Sequence, residues 1–136
     1  MIQRILVGYD GSEAATHALD RAIELAKACG ASLTVLTAAS DRLVREDGVV
    51  TMSADEDLGR RCAESGAARA RESGVTADAQ VSVEAPDDAI VLAAKEGSYD
   101  LVVVGHRGVG ALEEFFLGST AKSVVDRLEC SVLVVR

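Results

Sequence analysis

The runs Ile5-Leu6-Val7 and Leu101-Val102-Val103-Val104 are apolar without a polar break. Runs that short read as strands buried on both faces, the pattern of a parallel sheet covered by helices. The first of them, within Ile2 to Tyr9, gives way to Asp10-Gly11-Ser12. Ser12 is placed to cap a helix whose apolar positions Ala14, Ala18, Ala22, Ile23 and Ala26 fall on one face. Gly30 stops that helix. Leu33 to Leu36 predicts a second strand. Asp41 to Asp57 shows the weakest periodicity and reads as a surface loop. An Ala- and Arg-rich helix is expected over Asp57 to Ser73 and ends at Gly74. Gln80 to Glu84 alternates apolar with polar, as an edge strand with one wet face does. Pro86 opens the next helix, with Asp87 and Asp88 beside its positive end, and the helix stops near Gly97. The strand Leu101–Val104, a glycine-rich stretch from Gly105 to Gly118, a helix over Ser119–Leu128 and a strand over Val132–Val135 complete the chain.

Strand–helix alternation of this kind predicts an α/β fold: a parallel sheet with right-handed crossovers and helices on both faces. Five strands so connected create a point where successive helices change faces, and ligands bind there, outside the carboxyl ends of the strands. The stretches Tyr9–Ser12 and Gly105–Ser119 therefore become the candidate site. With 136 residues, one domain over positions 1–136 is expected.

The glycine-rich stretch carries the most specific chemistry. Two residues separate Gly105 from Gly108, nine separate Gly108 from Gly118, and Ser119 follows directly. A missing side chain lets a phosphate approach backbone N–H groups. Gly118-Ser119-Thr120 opens a helix, so free N–H groups, the helix dipole and two hydroxyls would face an anion. The spacing is neither a Walker A loop, which needs Gly-Lys-Ser or Gly-Lys-Thr, nor the dinucleotide fingerprint that follows a first strand. Arg107 is read either as a partner for phosphate or as a solvated side chain. Asp10 is read either as an acceptor for ribose or adenine or as a turn carboxylate at the first helix. Catalysis needs a base, a partner and a nucleophile, and His106 alone does not supply them.

Composition narrows the function. The net charge of −8 opposes nucleic acid and anionic membranes at long range. Aromatic residues at 3% leave little to stack on exposed bases. Cys29, Cys62 and Cys130 are odd in number and lack a Cys-x-x-Cys pair, so a reducing, cytoplasmic setting is expected over a disulfide scaffold or a zinc site. The N-terminal segment lacks the pattern of a secretory signal, and no apolar run has the length of a membrane span.

Taken with these residues, the chain resembles the universal stress protein family. The resemblance rests on Arg4-Ile5-Leu6-Val7-Gly8-Tyr9-Asp10-Gly11-Ser12, on Asp100-Leu101-Val102-Val103-Val104-Gly105, on Ser131-Val132-Leu133-Val134-Val135-Arg136, and on the glycine spacing, which marks the family's ATP-binding branch. It implies a sheet of order 3-2-1-4-5 in a Rossmann-like, adenine nucleotide alpha hydrolase-like fold. It implies ATP or another adenine nucleotide as ligand, with or without Mg2+. Gly8, Tyr9, Asp10, Gly11 and Ser12 would lie beside the adenosine, and the backbone at Ala38 would meet the adenine edge. Gly105, His106, Arg107 and Gly108 would line the ribose and phosphate path, and Gly118, Ser119 and Thr120 would hold the phosphates. A homodimer through Val132, Leu133, Val134 and Val135 is the expected assembly. Three positions depart from the family pattern: His106 for a small polar residue, Glu113-Glu114 where basic residues are frequent, and Ser131 for proline. The reading is a nucleotide-responsive binding protein. The alternatives are a weak ATPase, self-phosphorylation at Ser119, Thr120 or Ser123, and a nucleotide-free dimeric adaptor in which Glu113 and Glu114 close the site; Phe115 and Phe116 are read as anchoring the stretch against the core or a dimer partner.

Overall fold

The computed structural model describes residues 1–39, 42–46, 49–53, 55–107 and 117–136, with the backbone alone described over 42–46 and 49–53. Its elements in chain order are β1 (Arg4–Gly8), α1 (Glu13–Cys29), β2 (Ser32–Ala38), β3 (Arg42–Glu46), β4 (Val49–Ser53), α2 (Glu56–Glu72), β5 (Ala77–Ser82), α3 (Pro86–Gly97), β6 (Leu101–Gly105), α4 (Ser119–Arg127) and β7 (Ser131–Val135).

Five strands form one parallel sheet of order β5-β2-β1-β6-β7. Counting its strands in chain order gives 3-2-1-4-5, as expected. The period of two along each strand divides the core into two layers. Ile5 and Val7 of β1, Leu33 and Val35 of β2, and Leu101 and Val103 of β6 pack under α1 and α2. Leu6, Leu36, Val102 and Val104 pack under α3 and α4. Both faces of the central strands are thus covered, and Ile5, Leu6, Val7, Val102 and Val103 have no exposed surface. That is why these strands read as unbroken apolar runs.

The helix ends follow local chemistry. Ser12 Oγ accepts the Ala15 N–H at 3.2 Å and starts α1, and Gly30 ends it in the left-handed region at φ 65°. Asp55 starts α2 by accepting the Leu58 N–H at 3.0 Å. Two glycines inside α2 are explained by what they face. A Cβ on Gly66 would stand 2.9 Å from Val35 and 3.0 Å from the Tyr9 ring, and one on Gly59 2.8 Å from the Ala39 Cβ. The helix lies so close to β2 and β1 that only hydrogen fits.

Two expectations are corrected. The stretch Asp41 to Asp57 is not all loop. It contains β3 and β4, which pair antiparallel with Glu46 opposite Val49 and Arg42 opposite Ser53, and α2 begins at Glu56. The strand expected at Gln80–Glu84 runs instead over Ala77–Ser82, in register with β2 from Leu33↔Ala77 to Ala38↔Ser82. Its inward residues Ala77 and Ala79 are small, so they lie under α2 without announcing a strand in the sequence.

Candidate functional site

The crevice arises from topology. β1 and β6 are hydrogen-bonded neighbours, with Ile5 opposite Leu101 and Val7 opposite Val103. Beyond β1 the chain passes to α1 on one face of the sheet. Beyond β6 it passes to α4 on the other. The two connections part at the carboxyl ends of the strands, where parallel α/β sheets bind ligands.

On the β1 side the turn is held by its own side chains. Asp10 Oδ1 accepts the Ser12 N–H at 2.9 Å, and Gly11 takes φ 79°, where a β-carbon is strained. The Ser12 carbonyl accepts both the Thr16 N–H at 2.9 Å and the Thr16 hydroxyl at 2.8 Å. Asp10 is exposed, and one of its oxygens suffices for the turn. The other remains available to a hydroxyl or amino donor. The two roles considered for Asp10 are therefore compatible.

On the β6 side the glycine-rich stretch closes on itself. The His106 N–H donates to the Val135 carbonyl at 2.8 Å, and the Gly118 N–H donates to the His106 carbonyl at 2.6 Å. The two ends expected to cradle phosphate, far apart in sequence, meet at one peptide unit. Gly118 is the N-cap of α4, with φ −61° and ψ 155°, and no side chain caps this helix. α1 and α2 have side-chain caps, and α3 carries Asp87 and Asp88 in its first turn. The first turn of α4 has no acidic residue. Its opening N–H groups, at Ser119, Thr120 and Ala121, have no backbone acceptor within the helix and form the positive end of its dipole. An anion is the natural complement to them.

The remaining expected residues divide. Ser119 is exposed and Thr120 half-buried at this helix start, and Ala38 closes β2 with Ala39 N–H donating to the Ser82 carbonyl at 2.7 Å. His106 and Arg107 are half-buried at the mouth of the stretch, and His106 Nδ1 is screened from solvent without a partner among the described residues. The Tyr9 ring packs against Gly66 of α2, and the Tyr9 carbonyl accepts the Thr37 hydroxyl at 2.8 Å. Gly8 and Gly105 owe their missing side chains to packing. A Cβ on Gly8 would stand 2.9 Å from Ile90, and one on Gly105 would stand 3.0 Å from the backbone carbon and oxygen of Ala14. Gly108, Glu113, Glu114, Phe115 and Phe116 lie outside the described residues. Two residues beside the Asp10 turn were not expected. Thr37 is 4% exposed, and Cys62 of α2 reaches Gly11. Their nearness comes from the packing of α2 on β1 and β2, and no local sequence signal carries it.

A clamp behind the site fixes α4. The Ser123 hydroxyl donates to Asp87 Oδ2 at 2.7 Å, and Arg127 reaches Asp87 at 3.3 Å and Asp88 at 2.8 Å. The Ser123 hydroxyl, first, and then backbone N–H groups and Arg127 hold the Asp87 carboxyl below its ordinary value of 3.8, against the opposing effect of burial. A depressed folded value means that this contribution is present above the ordinary value and lost as pH falls through the folded one. Asp87→Asn should therefore lose stability relative to the parent at pH 6, and the difference should shrink below about pH 4. Urea titrations of both proteins at each pH measure it. A difference independent of pH would contradict the clamp's ionic character.

The model of the universal stress protein family matches residues 1–136. Universal stress protein YxiE of Bacillus subtilis is 34% identical, with all of both chains covered. A universal stress protein of Thermus aquaticus, from the region 3′ of QAH/OAS sulfhydrylase, is 36% identical, again over all of both chains. A solved universal stress protein in complex with cAMP is 30% identical and superposes with a TM-score of 0.75, over 99% of this chain and 97% of that one.

Proposed function

The chain belongs to the universal stress protein family, and from that premise we propose that it binds an adenine nucleotide, ATP included, and acts as a nucleotide-responsive binding protein. The observation that carries the reading is the N-terminus of α4, which no side chain caps, on the connection that leaves β6, the neighbour of the strand β1 that ends in the Asp10 turn. A relative 30% identical in complex with cAMP supports the ligand class. In this reading Ser119, Thr120 and the first N–H groups of α4 hold phosphate, with Gly118 letting it approach. Asp10 accepts from the ribose or adenine. Gly8, Gly11, Ser12, Tyr9, Ala38 and Gly105 contribute backbone, while His106, Arg107 and Gly108 line the path between sugar and phosphate. A Mg2+ ion would accompany a triphosphate. Among the described residues of Tyr9–Ser12 and Gly118–Thr120 no hydroxyl donates to a basic side chain, which favours binding over turnover.

The second copy of the chain is the proposed assembly partner. β7 is an edge of the sheet, and its Val132, Leu133 and Val134 are only half-buried. An apolar edge of that kind is a template for pairing. The cytoplasm is the proposed compartment, supported by three free cysteines.

Isothermal titration of nucleotide-free protein with AMP, cAMP, and ATP plus Mg2+ tests the reading. Saturable binding of at least one of them is expected, weakened about 10-fold or more in Asp10→Ala, the loss of a charge-assisted hydrogen bond. No binding of any of the three would overturn it.

A further inference from the structure

β5 is an edge strand whose register its apolar residues do not fix. Ala77 and Ala79 pack under α2, and Val81 faces Gly59 of the same helix. A shift of β5 by two residues would keep every side chain on its own face. It would put Ala79, Val81 and Val83 in those three places and bring Val83, now 51% exposed, under α2.

The opposite face carries a polar thread. The Tyr99 hydroxyl donates to Thr34 Oγ1 at 2.8 Å, and the Thr34 hydroxyl donates to Asp78 Oδ1 at 3.0 Å. Thr34 stands opposite Asp78 in the pairing of β2 with β5, and Tyr99 comes from the segment before β6, two strands away from β2. A carboxylate only accepts, and a threonine carries one hydroxyl proton. That proton is committed to Asp78, and the tyrosine proton to Thr34. Thr34 is 5% and Tyr99 7% exposed, which shields the thread from competing water. In the shifted register Thr34 would face Gln80, a neutral amide, in place of a carboxylate, whose charge-assisted bond is the stronger.

The carboxyl end of β5 sets the end of β2. The Ala39 N–H donates to the Ser82 carbonyl at 2.7 Å, and Ala38 stands opposite Ser82. On the other side of β2 the Tyr9 N–H donates to the Leu36 carbonyl at 2.9 Å, which places that end beside the Asp10 turn. We propose that Asp78, Thr34 and Tyr99 are positioning residues for the nucleotide: their thread holds β5 in register, and β5 in turn sets the Ala38–Ala39 backbone beside the Asp10 turn. The inference rests on the nucleotide reading above. Thr34 and Asp78 act at a distance, about 13 Å along the strands from Ala38 and Ser82.

Hydrogen exchange of single amides and calorimetry with AMP, on the same folded samples of the full chain, test it. Two amides report on β5: Leu33, which donates to Thr76, and Ala39. His106, which donates to Val135 at the other edge of the sheet, is the reference. Asp78→Ala and Thr34→Val should each speed exchange at Leu33 and Ala39 about 10-fold, leave His106 unchanged, and weaken AMP binding about 3- to 10-fold. Asp78→Asn keeps an oxygen that accepts the Thr34 proton and should recover most of both losses. Should Thr34→Val fail to fold, Asp78→Ala, at an exposed position, carries the test. Unchanged exchange at Leu33 and Ala39 in Asp78→Ala would overturn the proposal. So would an equal rise at His106, the mark of global destabilisation. Faster exchange at the two reporters with undiminished AMP affinity would overturn it as well, and the nucleotide reading would stand. Absence of AMP binding by the parent chain would remove the nucleotide reading and this inference with it.

Discussion

Gly105→Val is expected to destabilise the chain by about 3 kcal/mol, at the upper end for overpacking of a close contact. A β-carbon at this position would stand 3.0 Å from the backbone carbon and oxygen of Ala14 and 3.2 Å from its Cβ. Backbone cannot rotate away as a side-chain tip can. The first turn of α1 must therefore lift from β6, and with it go buried Ala14, Ala18 and Leu19. Domains of this size are stable by only about 5–15 kcal/mol, so the loss is a large share. Gly8→Ala is the control. Its β-carbon would meet Ile90 Cδ1, the end of a flexible side chain rather than backbone, at 2.9 Å, and should cost only about 1 kcal/mol. Urea unfolding of the three proteins decides. A Gly105→Val midpoint equal to the parent's would refute the packing role.

Gly118→Asp is expected to separate binding from stability. The backbone at Gly118, φ −61° and ψ 155°, is an ordinary N-cap conformation open to any residue. An aspartate there can accept an N–H of the first turn, so helix stability should hold or rise by a few tenths of a kcal/mol. The same carboxylate would occupy the donors proposed for phosphate and repel its charge. Affinity for AMP should fall about 100-fold, or about 2.8 kcal/mol. Calorimetry and thermal unfolding of one sample measure both quantities. Undiminished affinity in a folded Gly118→Asp would remove α4 from the site.

The sheet was legible because its central strands are buried on both faces. Ile5–Val7 and Leu101–Val104 have no polar side, and Ser12, Gly30 and Pro86 mark helix ends by local chemistry. β5 was misplaced because Ala77 and Ala79 fill the space under α2 with methyl groups, too small to stand out between Asp78 and Gln80. The β3–β4 hairpin was missed although a signal existed. Asp47-Gly48 separates the two strands, and that pair favours a two-residue hairpin turn.

The site was legible as a pair of chain segments and less so as a set of side chains. Asp10 and Ser12 follow β1 and the start of α4 follows β6 in the chain, and β1 and β6 are neighbours in the sheet, as strand–helix alternation requires. The glycines were harder to assign, because a phosphate and a neighbouring helix make the same demand for a missing Cβ. At Gly105 the neighbour is α1. The Tyr9 ring belongs to the packing under α2, consistent with its sharing a face with Ile5 and Val7. Thr37 and Cys62 join the turn through tertiary contact alone.

The central claim is that an adenine nucleotide occupies the crevice between the β1–α1 turn and the start of α4. Amide chemical shifts of the isotopically labelled chain, followed during titration with AMP, test it most directly. The account predicts saturable changes at Gly11, Ser12, Ala39, His106, Ser119 and Thr120, with Gln3, Tyr99 and Asp100 at the opposite end of the sheet unmoved. Shifts confined to that opposite end, or none at saturating AMP, would contradict it.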